Sequence, residues 1–148
     1  MTKPTTPKNF VLYADDDADD LQLVRDSFAQ YVQDVEVVTV SNGDDALAFL
    51  ENLPDDAATP CLVILDVNMP GLDGKQVLAR LRAIDRFAQV PVVLFTTSSL
   101  PSDKSYAQSL QAGFVTKPLN MKQMELITDQ FISHCVEEVR RQIRPGDR

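Results

Sequence analysis

Short apolar runs alternate along the chain with segments whose apolar residues recur every three or four positions. "FVLYA" (residues 10–14), "VEVVTV" (35–40), "CLVILD" (61–66), "VPVVLFT" (90–96) and "GFVTK" (113–117) are rich in Val, Leu and Ile. Within the two central runs, "LVIL" and "VVLF" are apolar at every position, the pattern of strands buried on both faces of a parallel sheet. Leu21, Val24, Phe28 and Tyr31 make one apolar stripe and predict a first helix. Ala46, Leu47, Phe49 and Leu50 predict a second after "SNGDD", and Val77, Leu78, Leu81 and Ile84 a third that begins near Asp73. A weaker, more polar pattern predicts a fourth helix over 102–112, with Gly113 as its C′ residue. The last covers 121–143, with Met124, Ile127, Phe131, Cys135 and Val139 on one stripe and Pro145 and Gly146 stopping it.

Five β-α repeats predict an α/β domain, because right-handed crossovers place helices on both faces of a parallel sheet. Ligands of such sheets bind beyond the carboxyl ends of the strands. Four of those ends carry reactive groups. The first strand runs into Asp15, Asp16 and Asp17, the third ends on Asp66, the fourth on Thr96 and Thr97, and the fifth on Lys117 before Pro118.

Two carboxylates about 4 Å apart repel by roughly 4 kcal/mol at an effective dielectric near 20. Such a cluster takes up protons or holds a cation. An all-oxygen donor set suits Mg²⁺, which binds through one or two carboxylates and favours sites that also hold phosphate. Lys117 and Thr96 add a positive charge and a hydroxyl, both suited to a transferring phosphoryl group. A remaining carboxylate can then act as nucleophile. Each piece has a plainer reading: the acids of "DDDADD" can cap the first helix at Asp17 or Ala18, and Asp66 can be a turn residue. Capping explains neither Lys117 nor a charge at the end of the most buried strand.

Taken together, "YADDD", "LVILDVNMPGLDG", "LFTTS" and "GFVTKP", in that order, resemble the receiver domain of two-component response regulators over residues 9–138. The resemblance implies a flavodoxin-like (βα)5 doubly wound sandwich whose five parallel strands run in the order 2-1-3-4-5. It divides the chain into an N-terminal tail (1–8), the receiver (9–144) and a C-terminal tail (145–148). Asp66 would be the phosphoacceptor. Asp16 would bind Mg²⁺ directly and Asp15 largely through water, with the backbone carbonyl of Asn68 as a further ligand. Lys117 would bind a phosphoryl oxygen, ahead of a cis peptide to Pro118. Thr96 would be the switch hydroxyl, and Phe114 the switch aromatic, where many relatives have Tyr. Asn68 and Ser98 flank the place where the family tunes phosphoryl lifetime. The implied function is a signalling switch, not an enzyme beyond its own phosphorylation and dephosphorylation. It takes its phosphoryl group from a histidine kinase or a histidine phosphotransfer protein. The likeness leans toward small single-domain regulators, including partners of phytochromes and hybrid kinases.

Composition narrows the partners. The 148 residues suit one domain, and a net charge of -8 disfavours a nucleic-acid surface. The basic stretch "VRRQIRPGDR" suits the last turn of a helix. No apolar run approaches a membrane span, and "MTKPTTPKN" lacks a signal-peptide core. With Cys61 and Cys135 read as reduced thiols, the expectation is a cytoplasmic protein without DNA or membrane contact, whose output passes through a partner. Ile132, Val136 and Ile143 lie off the main stripe of the last helix. They suggest a homodimer through the face of the fourth helix, fifth strand and fifth helix. The alternatives are a degenerate receiver serving only as an interaction module, or a phosphatase of the dehalogenase type or a flavodoxin. "ADDDADD" would repel a flavin phosphate, and the dehalogenase reading leaves Asp66 unexplained.

Overall fold

The structure is a computed structural model that describes residues 10–31, 35–97, 100–118 and 124–134. Five strands, β1 (Phe10–Ala14), β2 (Glu36–Val40), β3 (Leu62–Leu65), β4 (Val92–Thr96) and β5 (Gly113–Thr116), form one parallel sheet in the order β2-β1-β3-β4-β5. Between and after them run α1 (Ala18–Tyr31), α2 (Gly43–Glu51), α3 (Gly74–Arg82), α4 (Pro101–Ser109) and α5 (Met124–His134). Among the described residues no helix is long and apolar enough to cross a membrane.

Alternation along the strands supplies a core on each face. Val11, Tyr13, Leu62, Ile64, Val93 and Phe95 pack with Val24 and Phe28 of α1 and Ile127 and Phe131 of α5. Phe10, Leu12, Val63, Leu65, Val92 and Leu94 pack with apolar residues of α2, α3 and α4. β3 is wholly buried, as its unbroken apolar run requires. On the first face the aromatic rings connect: Phe28 stacks on Phe131, Phe131 meets Phe95 edge-on at 5.0 Å, and Phe95 lies 6.2 Å from Tyr13.

Helix ends explain two departures from the sequence pattern. α3 starts where expected, because Asp73 caps it in a reciprocal capping box with Gln76. Its regular turns stop at Arg82, so Ile84 packs from beyond the helix. α4 stops at Ser109, earlier than its pattern predicts, and the left-handed residue is Gln111 (φ 57°), not Gly113. Ala112 N–H donates to the Ala107 carbonyl and Gln111 N–H to that of Gln108, a Schellman closure with Gln at C′. Gly113 belongs to β5, where a Cβ would stand 2.5 Å from the His134 ring. Of the last helix, Ile127 and Phe131 face the core. Cys135, Val136, Val139 and Ile143 lie outside the described residues, as does Ser98.

Candidate functional site

The carboxyl edge of the sheet brings four of the expected groups together. β1 and β3 are neighbours in parallel register, with Ala14 opposite Leu65, so Asp15 and Asp66 leave the sheet side by side. Asp66 N–H donates to the Ala14 carbonyl, which fixes the level of the carboxylate. One oxygen each of Asp15, Asp16 and Asp66 lies within 4.8 Å of the others. Asp15 and Asp66 are buried and Asp16 is exposed, so the cluster has a floor and an open side.

Lys117 reaches this cluster from the end of β5. Its Nζ donates to Asp15 Oδ2 (2.7 Å), Asp20 Oδ2 (2.8 Å) and Asp66 Oδ2 (3.3 Å), and lies 5.6 Å from the Phe95 ring centre. Tyr13 donates its hydroxyl to Asp15 Oδ2, and Asp17 N–H donates to Asp15 Oδ1. Asp17 is the cap of α1, its carboxylate accepting from the Asp19 and Asp20 amides. The plain reading of "DDDADD" is therefore right for Asp17 and insufficient for Asp15 and Asp20.

Electrostatics follow from burial and crowding. Asp66 has its pKa raised to about 6, first by burial and then by the Asp15 charge, with Lys117 and the Asn68 N–H pulling the other way. Burial opposes the Lys117 charge, but hydrogen bonds to Asp15 and Asp20 outweigh it and raise its pKa. Burial, then the Asp15 charge, keeps the Tyr13 hydroxyl protonated and donating. One ammonium thus meets three carboxylates, with Asp16 a fourth beside Asp15 and Asp66. That negative excess, made only of oxygen donors, fits a hard divalent cation held by Asp15, Asp16 and Asp66.

The remaining expected residues stand around this centre. Thr96 ends β4 fully buried, and its carbonyl accepts the Lys117 N–H at 2.7 Å. Phe114 is half-buried on β5, opposite Leu94 and thus on the sheet face shared by Leu94 and Thr96. Asn68 is exposed in the turn after β3, and its N–H donates to Asp66 Oδ1 at 3.3 Å. No cis peptide occurs among the described residues, so Lys117–Pro118 is trans, against expectation. Sequence reasoning missed Asp20, Tyr13 and Gly74. A Cβ on Gly74 would stand 2.3 Å from the Asp66 carbonyl oxygen, so glycine lets α3 begin directly beneath the Asp66 backbone.

A family model for the response regulator receiver domain matches residues 11–129. The chain belongs to that family. The receiver is 28% identical over 94% of its length to Response regulator Rcp1 of Synechocystis sp., and spans 97% of that protein. It is 32% identical to Stress response regulator protein 1 of Debaryomyces hansenii, of which it spans only 54%. Among solved structures, the phosphorylated cyanobacterial phytochrome response regulator RcpA matches with a TM-score of 0.78 at 28% identity, covering 87% of this chain and 94% of that one. The Mn²⁺-bound form of Rcp1 matches with a TM-score of 0.75 at 28% identity, over 84% and 91%.

Proposed function

We propose that this receiver is a single-domain, cytoplasmic response regulator that accepts a phosphoryl group on Asp66 from a histidine kinase or a histidine phosphotransfer protein. The observation that carries the reading is the Lys117 ammonium 3.3 Å from a buried Asp66 carboxylate that two further acids surround. An oxygen of Asp66 forms a bond to phosphorus while the phosphorus–nitrogen bond of the donor phosphohistidine breaks, and the electron pair leaves on the imidazole. Near neutral pH the carboxylate is ionised and can attack, since its pKa lies at about 6. Lys117 turns an N–H to a phosphoryl oxygen, and the Thr96 hydroxyl moves to another. Asp15, Asp16 and Asp66, with the Asn68 carbonyl, would hold Mg²⁺, which when bound neutralises charge on the phosphoryl oxygens. The similarity to the Mn²⁺-bound form of Rcp1 supports a divalent-cation requirement.

Phosphorylation converts one carboxylate to a group of about -2 charge with new acceptor oxygens. Drawing Thr96 inward opens space for Phe114 on the same sheet face, and the α4-β5-α5 surface changes shape. We place output on that surface, toward a partner or a second copy of the chain. The likeness to phytochrome response regulators makes a phytochrome-type kinase the first input to try.

The test is incubation with acetyl phosphate and Mg²⁺, followed by intact-protein mass spectrometry. Wild type should gain one phosphoryl group. Asp66→Asn should gain none, and chelating the metal should stop the reaction. Phosphate taken up by Asp66→Asn at the normal yield would move the acceptor elsewhere.

A further inference from the structure

An ammonium has three N–H donors, and in Lys117 each has a carboxylate partner. The distances are 2.7 Å to Asp15, 2.8 Å to Asp20 and 3.3 Å to Asp66. The ammonium is therefore held more closely by Asp15 and Asp20 than by the residue that would carry the phosphoryl group. Asp20 stands in the first turn of α1, but the cap there is Asp17, and helix closure does not require the Asp20 carboxylate. Asp15 is fully buried, and its oxygens also accept from Tyr13 and the Asp17 amide, which fixes it in place. Asp20 is the partner at the rim, its side chain 13% exposed, and the one able to yield.

We propose that Asp20 is a positioning residue that tethers the Lys117 ammonium to α1 and so restrains phosphoryl transfer to Asp66. The inference rests on the reading of Asp66 as phosphoacceptor. Two effects act in one direction. The ammonium presents less net positive charge to a phosphoryl oxygen while Asp20 holds it, and the Asp20 carboxylate repels an anionic donor. In the transfer step Lys117 keeps all its protons. Asp66 gains the O–P bond, the donor leaves with the electron pair of the broken bond, and one lysine N–H exchanges a carboxylate acceptor for a phosphoryl oxygen.

The experiment follows phosphorylation of the full chain by acetyl phosphate in Mg²⁺ by mass spectrometry, for wild type, Asp20→Asn and Asp20→Glu, with Asp66→Asn as control. Asp20→Asn keeps an acceptor for the lysine but removes the charge, and should react about tenfold faster, as expected for a barrier lowered by roughly one charge interaction. Asp20→Glu restores the charge and should stay within about twofold of wild type, which a role in shape alone does not predict. If Asp20→Asn does not fold, Asp20→Ser tests the same point, and the affinity for beryllofluoride, followed by amide NMR shifts, should rise with it. An uncharged variant no faster than wild type, or a glutamate variant as fast as the asparagine one, overturns the tether and leaves the acceptor reading intact. A wild type that takes no phosphate, or an Asp66→Asn that takes it, overturns both.

Discussion

The burial and the Asp15 charge that raise the Asp66 pKa also make its ionised form costly to the fold. Its folded-state pKa of about 6 lies above that of an exposed aspartate, about 3.9. The native state therefore holds a proton that the unfolded chain has released. Stability from this group is fully present below pH 4 and is lost as pH rises through 6. In metal-free buffer, Asp66→Asn should be more stable than wild type by about 3 kcal/mol at pH 8, and by close to nothing at pH 4. Urea denaturation at the two pH values checks this, and an equal difference at both would remove titration of Asp66 as the cause. At this scale the site was legible where chemistry coincides with a strand end: Asp15, Asp66, Thr96 and Lys117 each close an apolar run. Asp20 and Tyr13 were not. Asp20 has the look of any acid in a first helical turn, and Tyr13 of an ordinary core position. Their roles depend on how far the lysine stem reaches and on Tyr13 lying two residues before Asp15, on the same side of β1.

Elements were legible in number, order and type, because the strands are continuous apolar runs and α1, α3 and α5 carry clear stripes. The weak point was α4, whose only buried residues are Asp103 and Ala107. So polar a helix leaves its end to backbone closure, and that end falls on Gln111 at φ 57° rather than on the nearby glycine. A side chain there is strained, whereas glycine is not. Gln111→Gly should stabilise the protein by about 0.5–1 kcal/mol, read as a higher urea midpoint at unchanged slope. A lower midpoint would mean that the glutamine side chain contributes more than the strain removes. α4 is otherwise fixed by the Lys75–Asp103 ion pair (2.7 Å) and by the Tyr106 hydroxyl on the Lys75 carbonyl. Neither pair has a periodic signature, since both depend on α3 and α4 being neighbours on one face.

For the whole molecule, β-α alternation dictates a two-faced sheet, but the order 2-1-3-4-5 came from family likeness, because periodicity does not rank neighbours. The two cores confirm the burial expected of "LVIL" and "VVLF". Self-association belongs to this scale too. The sequence pattern sets Ile132, Val136 and Ile143 off the apolar stripe expected of the last helix, which is the ground for expecting a dimer. Light scattering at tens of micromolar should give twice the chain mass in the presence of beryllofluoride, and a monomer with and without it would exclude the dimer. The contact between β4 and β5 has a mechanical consequence. The Lys117 amide donates to the Thr96 carbonyl at 2.7 Å. Thr96 and Lys117, whose hydroxyl and ammonium would meet the phosphoryl group in the proposed transfer, are therefore joined by a single peptide-to-peptide bond. A shift of either strand would reach both residues as one displacement, so the hydrogen-exchange rate of that single amide would gauge the state of the proposed switch.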